Sequence, residues 1–458
     1  MTTIIDSGFL RKNWSVPALE KVFSDEGRIQ SWLDVEAALA RVQGRLGVIP
    51  ADAAREIDAH CRVDRIDLNL FKDTLAKTGH MIMPVLKCVQ AACPGKLGEF
   101  VHYGATTQDI MDTGEILQMR QASRYILKEA LRLEKAILEK AKKFQYTVMA
   151  GRTHGQQGLP ITMGFKFATW AAELRRDIER IKAFPDRVFV LMLFGAVGSK
   201  AGYGSKAAET VEGVGKELGL KVLPICWATS RDVLAEYLST LGILAGTIGR
   251  IANEVIACST SEVGELREPM SSTTVGSSTM PHKRNPAACE TIVAQCRIVQ
   301  SYACLGMQTQ ISEHERDPRM WRIDLVDIPN ASMLAARAVT SAADVVEGLE
   351  VDQKNIERNL NLLGGLLLSE AVMLVLGQKI GKNTAHHLLH ELALDQSDDR
   401  TFVERLHDCK QVTDALTHEE IDAIFDYSKY LGQAPADVDA VIAYCARLAQ
   451  TDPDPERF

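Results

Sequence analysis

Several things are scarce in this sequence, and each absence removes a class of protein. The 10 cysteines (61, 88, 93, 226, 258, 289, 296, 304, 409 and 445) form no CxxC pair and sit in apolar segments like small hydrophobes. That is the usage of a reducing compartment, not of a disulfide framework. There is no Lys/Arg-rich block: 60 acidic residues against 52 basic ones give a formal charge of −8. A chain so balanced has no stripe of cations to grip a phosphate backbone, so nucleic acid is not an expected partner. The N-terminal MTTIIDSGFLRK lacks the positive flank, apolar run and small-residue cleavage site of a signal peptide. The longest uncharged stretch, between Arg297 and Glu313, has 15 residues and is partly polar. A membrane helix needs ~18–20, so no membrane partner is expected and the reading is a cytoplasmic protein.

Proline is also sparse, at 15 in 458 residues, and its placement says most about architecture. None occurs in 95–159, 225–268 or 330–434. An interior proline breaks a helix, so these spans are free to be long helices. Within them the apolar period is helical. Ile126, Ala130, Leu133, Ile137, Ala141 and Phe144 share one face, as do Phe167, Ala171, Leu174, Ile178 and Ile181. Leu234, Leu238, Leu241, Ala245, Ile248, Ala252 and Val255 continue the pattern for six turns, and Ile243, Leu244, Ile251 and Ile256 make the other faces largely apolar too. Such a helix belongs inside a bundle or against another subunit. No run alternates at period two for long enough to require a sizeable sheet. The expectation is an all-α protein with a long central helical bundle between N- and C-terminal helical domains, divided as 1–101, 102–345 and 346–458.

Against so much helix, the polar, glycine-bearing interruptions carry the chemistry. Ser271 to Met280 holds ten uncharged, mostly small residues, followed at once by His282, Lys283 and Arg284. Asn285-Pro286 then reads as N-cap and first helical position, which aims helix N–H groups back at the loop. Flexible serines beside a lysine and a helix N-terminus suit a carboxylate-derived anion, although a linker before a well-capped helix reads the same way. Gly151-Arg-Thr-His-Gly sets His154 between glycines, where an imidazole can serve as general acid or base or as a structural group. Thr106-Thr107-Gln108-Asp109 offers an N-cap and an excess of side-chain donors. Gly195, Gly198, Gly202 and Gly204 lack the GK[ST] of a phosphate loop and read as a turn. His386, His387 and His390 place two imidazoles on one helical face without a third ligand, so no metal is expected.

Taken in order, Tyr103-Gly-Ala-Thr-Thr-Gln-Asp109, Gly151-Arg-Thr-His-Gly155, Gly276 to Pro286 and Glu313-His-Glu-Arg-Asp317 resemble the fumarase/aspartase superfamily. The likeness runs from Phe23-Ser-Asp-Glu-Gly-Arg28 to Tyr430-Leu-Gly-Gln433. Two branches compete, adenylosuccinate lyase and 3-carboxy-cis,cis-muconate cycloisomerase. The resemblance implies a homotetramer whose active sites are shared between subunits, acting without a cofactor on a small dicarboxylate-bearing substrate by anti β-elimination of fumarate. It implies Ser277 as base with Ser278 beside it, His154 as general acid oriented by Glu290, and Lys283 and Asn285 holding the carboxylate on which charge builds. Thr106, Thr107 and Gln108 match carboxylate binders, and Thr153 and Arg316 fall in the matched substrate-binding motifs. His80, in Gly79-His80-Met-Ile-Met83, and His154 match the adenylosuccinate lyases. The stretch 195–206, Thr279 and the Tyr430-Leu-Gly-Gln-Ala ending look more like the cycloisomerases. After Asp317, Pro318-Arg-Met-Trp321 replaces the serines that bind a nucleotide phosphate in adenylosuccinate lyases. The reading is a C–N lyase that cleaves a succinyl-amine, with the cycloisomerase and a catalytically silent structural tetramer as alternatives.

Overall fold

Six long helices follow from the proline-poor spans and their caps. The computed structural model describes residues 3–5, 7–270, 280, 282–395 and 398–458. The helices are α1 (Asp25–Arg45), α2 (Thr107–Lys143), α3 (Met163–Lys182), α4 (Asp232–Cys258), α5 (Ala287–Gln308) and α6 (Pro318–Gly348). Two small antiparallel sheets complete the frame, β1 (Val148–Thr153) with β2 (Gln156–Thr162) and β3 (Leu266–Arg267) with β4 (Glu350–Val351). The all-α class with a central bundle is therefore what the chain adopts. The β1–β2 hairpin is a departure from the loop expected around His154. Its alternation is broken by glycines and by a register shift between Ala150 and Arg152, which hid it from a period-two reading.

Side-chain rungs fix the directions. Tyr125 meets Thr340 and Lys140 meets the Leu349 carbonyl, so α2 and α6 run parallel. The Arg231–Asp324 and Tyr237–Ser332 pairs, rising together along both helices, align α4 with α6. Arg175–Glu134 and Lys166–Glu254 show α3 antiparallel to α2 and α4. One end of the bundle thus carries the N-termini of α2, α4 and α6. Their C-termini, with β1–β2 and the start of α5, form the other.

The faces read from sequence are buried. Ile126, Ala130, Leu133, Ile137 and Ala141 of α2, and Phe167, Ala171, Leu174, Ile178 and Ile181 of α3, are all fully covered. Among the described residues α4 alone is long and apolar enough to cross a membrane, which the count of charge-free runs did not reveal. Leu234, Leu238, Leu244, Ile248 and Val255 are nevertheless packed in the bundle core, while Ile243 is about half exposed. Pro329 lies inside α6. It cannot donate to the carbonyl four residues back, Leu325, which Arg28 Nη2 approaches instead at 3.5 Å. A second, smaller core of Val372, Leu376, Leu389, Phe402, Leu406 and Ile421 lies in the C-terminal part.

Candidate active site

At the end of the bundle where α2 starts, the chain gathers His80, Thr106, Thr107 and Arg316. Gly79 closes the helix Leu68–Thr78 in the left-handed conformation and turns His80 outward. Its Nε2 lies 3.5 Å from Thr107 Oγ1. Thr106 is the N-cap of α2, with Asp109 as the reciprocal member of a capping box. The first amides of a 37-residue helix have no helical acceptors and sit at its positive end, a place suited to a carboxylate. Arg316 Nη1 donates to Thr106 Oγ1 at 2.8 Å, and Nη2 to the Ala196 carbonyl at 2.7 Å. The guanidinium is thereby committed to positioning the cap and the 195–206 loop, where the sequence suggested direct contact with substrate.

Gln108, expected beside Thr107 as a binder, turns inward. It is buried, and its amide nitrogen donates to Asp112 and to the Ala228 carbonyl at 3.0 and 3.1 Å. The second residue of a helix faces wherever the helical period puts it, and here that is the core. Asp109, the last residue of the Tyr103–Asp109 motif, ties the end together. Its buried carboxylate accepts from Phe194 N, Gly195 N, Tyr203 Oη and Thr106 N at 2.8, 2.9, 3.1 and 3.1 Å. Burial pushes its pKa up against the pull of those donors.

Behind Gln108 lies an acidic cluster that sequence reasoning missed. Arg231 Nε pairs with Asp324 at 2.8 Å and Nη1 with Asp112 at 3.1 Å. Glu115 and Asp327 are the other carboxylates of the group. Desolvation raises Asp324 to about 6 and Asp327 to about 8, and drives Glu115 well above the usual carboxyl range. Arg231, with φ 47°, is one of five non-glycine residues in the left-handed region among the described residues; His102, His154, Lys200 and His314 are the others. All five fall in the interruptions between helices. Such a backbone costs an L residue roughly 1–2 kcal/mol, and residues so held cluster at functional sites.

The opposite end of the bundle holds the rest. His154 is exposed at the turn of the β1–β2 hairpin, next to Thr153. The hairpin is anchored by Arg152, whose guanidinium makes two bonds to buried Glu265 at 2.9 and 2.6 Å. Three residues on, Glu268 accepts from Ala288 N and Cys289 N at 3.2 and 2.6 Å. It thus fills the N-terminus of α5, which the sequence reading had pointed at the serine loop. The helix also starts one residue later than expected, with Pro286 as N-cap and Ala287 first. Lys283, Asn285 and Glu290 are exposed around this start. Ser277 and Ser278 lie outside the described residues.

These two groups cannot meet within one chain. From Thr107 to Lys143 the helix rises about 54 Å. The Phe144–Thr147 turn, closed by a 3.1 Å bond, and seven extended residues return at most about 35 Å to His154. At least about 20 Å remains, far beyond proton-transfer reach.

Known proteins resemble this chain along most of its length. The family model described as Lyase matches residues 11–301, and that of the adenylosuccinate lyase C-terminus matches 365–441. The chain is 40% identical to N-acetyl-S-(2-succino)cysteine lyase of Enterococcus italicus, over 96% of this chain and 97% of that protein. It is 37% identical to the protein of the same name from Dickeya dadantii, again over 96% and 97%. The solved 3-carboxy-cis,cis-muconate lactonizing enzyme from Pseudomonas putida superposes with a TM-score of 0.90 at 34% identity, covering 97% of this chain and all of that one.

Proposed function

From the premise that the chain belongs to the fumarase/aspartase superfamily of lyases, we propose that it releases fumarate from a succinyl group carried on a heteroatom, with the thioether of a small thiol as the leading substrate class. The observation that supports the reading is the end-to-end similarity to two proteins named N-acetyl-S-(2-succino)cysteine lyase, beside polar groups gathered at each end of the bundle.

A hydrogen on carbon beside a carboxylate is very weakly acidic, so the dianion formed on its removal must be stabilised electrostatically. In the proposed scheme Ser277 takes the proton, and Lys283 and Asn285 hold the carboxylate on which charge accumulates. Thr106, Thr107 and the amides at the start of α2 bind the other carboxylate, with His80 alongside. The carbon–heteroatom bond then breaks, its electron pair leaving with sulfur or nitrogen, and His154 supplies a proton, with Glu290 as its orienting carboxylate. A thiol with a pKa near ~8.5 leaves with little acid assistance, whereas an amine depends on it. Because the half-sites sit at opposite ends of the bundle, the working site is assembled between copies, in a homotetramer.

A succinyl-amine is the second reading, favoured by His80 and His154, which match the adenylosuccinate lyases. Substrate nucleotides are disfavoured by Asp317 and Arg319: they pair with each other at 2.7 Å where phosphate-binding serines would follow. The test is a panel of S-succinyl thioethers, N-succinyl amines and 3-carboxymuconate, read by fumarate or lactone formation. Thioether-dependent fumarate, reduced at least ~10³-fold in Ser277→Ala, is the expected result. Turnover of the muconate alone would replace this reading with the cycloisomerase, and turnover of none would leave the silent tetramer.

A further inference from the structure

The loop from Gly195 to Lys206, read from sequence as a turn, has no part in the reaction scheme, yet it is built onto the Thr106 end of the site. Asp109 holds the amides of Phe194 and Gly195, and Arg316 bridges Thr106 to the Ala196 carbonyl. Lys200 N closes the loop on the Phe194 carbonyl at 2.7 Å. A Cβ on Gly104 would lie 2.5 Å from the Gly202 carbonyl oxygen, so the loop is seated against the 103–106 turn with no slack.

On this platform two side chains remain unspent. Val197 is 60% exposed. Lys200 has no anionic partner among the described residues; its ammonium rests 5.0 Å from the centroid of the Phe194 ring. The other lysine of the loop, Lys206, is by contrast paired with Glu209 at 3.2 Å. Lys200 is also held at φ 62°, a backbone that lysine rarely adopts. The two carboxylates of a succinyl group are already provided for, one by Thr106 and Thr107, the other by Lys283 and Asn285. A further cation on the Thr106 side is surplus to the succinyl half of the substrate.

We propose that the Gly195–Lys206 loop is the leaving-group subsite, in which Lys200 recognises a carboxylate on the departing thiol or amine and Val197 walls its apolar part. The proposal rests on the succinyl-elimination reading above. It adds to that reading a substrate class, a heteroatom donor that is itself an acid.

The test compares the succinyl thioethers of 3-mercaptopropionate and 3-mercaptopropionamide, which differ only in the leaving group's charge. Wild type should show a KM about tenfold lower for the acid. Lys200→Met should erase that gap by raising the acid's KM, with kcat within about twofold, and Lys200→Arg should keep most of it. A merely structural lysine would move both substrates together. The same pair titrated calorimetrically into Ser277→Ala protein separates the two ideas. Lys200-dependent preference for the acid, in a protein whose wild type releases no fumarate from either compound, would sink the elimination reading and keep the subsite. Equal binding of acid and amide by the wild type, or an equal shift of both in Lys200→Met, would overturn the subsite.

Discussion

A carboxyl group buried in a helix bundle without a side-chain hydrogen-bonding partner is an energetic liability, and Asp327 is such a group among the described residues. It faces Asp324 and Arg231, and Arg231 in turn pairs with both Asp324 and Asp112. Burial raises Asp327 to about 8 and Asp324 to about 6, whereas an unfolded aspartate titrates near ~3.9. Between about pH 4 and 8 the unfolded chain therefore binds fewer protons than the folded one, and this pair's contribution to stability falls as pH rises. Asp327→Asn should flatten the Tm profile across that window, with the largest gain near pH 8; curves for variant and wild type that stay parallel would refute it. At this scale the sequence was legible where structure is local. Thr106 reads as a cap because capping needs only the next three residues. Arg231 and Lys200 were illegible, since a left-handed arginine or lysine is imposed by distant partners and leaves no mark in its own neighbourhood.

Helix pairing adds a constraint that periodicity does not express. α4 and α5 approach along a line of small residues. A Cβ on Gly242 would sit 2.7 Å from Ala303 Cβ, one on Gly249 3.2 Å from Cys296 Cβ, and one on Gly306 would strike Leu238. In isolation Gly→Ala favours a helix by about 1 kcal/mol, but here the helices would have to part. Gly242→Ala should cost about 1–3 kcal/mol in denaturant unfolding, and Ala303→Gly in the same chain should recover most of it. A stabilised single variant would show that the approach has room to spare. The apolar stripes of α2, α3 and α4 were readable because a 3.6-residue period repeats over many turns. The β1–β2 hairpin was not, because six or seven residues broken by a bulge and glycines carry too little period-two signal. The start of α5 slipped by one residue because its cap, Glu268, comes from elsewhere in the chain.

For the whole molecule, the decisive quantity is the length of α2. With Thr107 and His154 at least about 20 Å apart in one chain, complementary damage should be repairable by mixing. Thr107→Ala and His154→Ala proteins, each nearly inactive, should regain a substantial fraction of wild-type fumarate release when refolded together. Failure of the mixture, with both variants assembled, would mean that Thr107 and His154 do not serve one site. The polar breaks among the helices, to which the proposed chemistry is assigned, were visible in the sequence. How they are distributed over two ends was not, since that depends on helix direction, which only the rungs between α2, α3, α4 and α6 reveal.

The same geometry alters what a single faulty copy does. With the site assembled between copies as proposed, a chain with a damaged hairpin would still lend a sound α2 start to a neighbour, while depriving another neighbour of its acid. In a mixed population, harm therefore follows pairings instead of individual molecules, and two different lesions can prove milder together than either is alone.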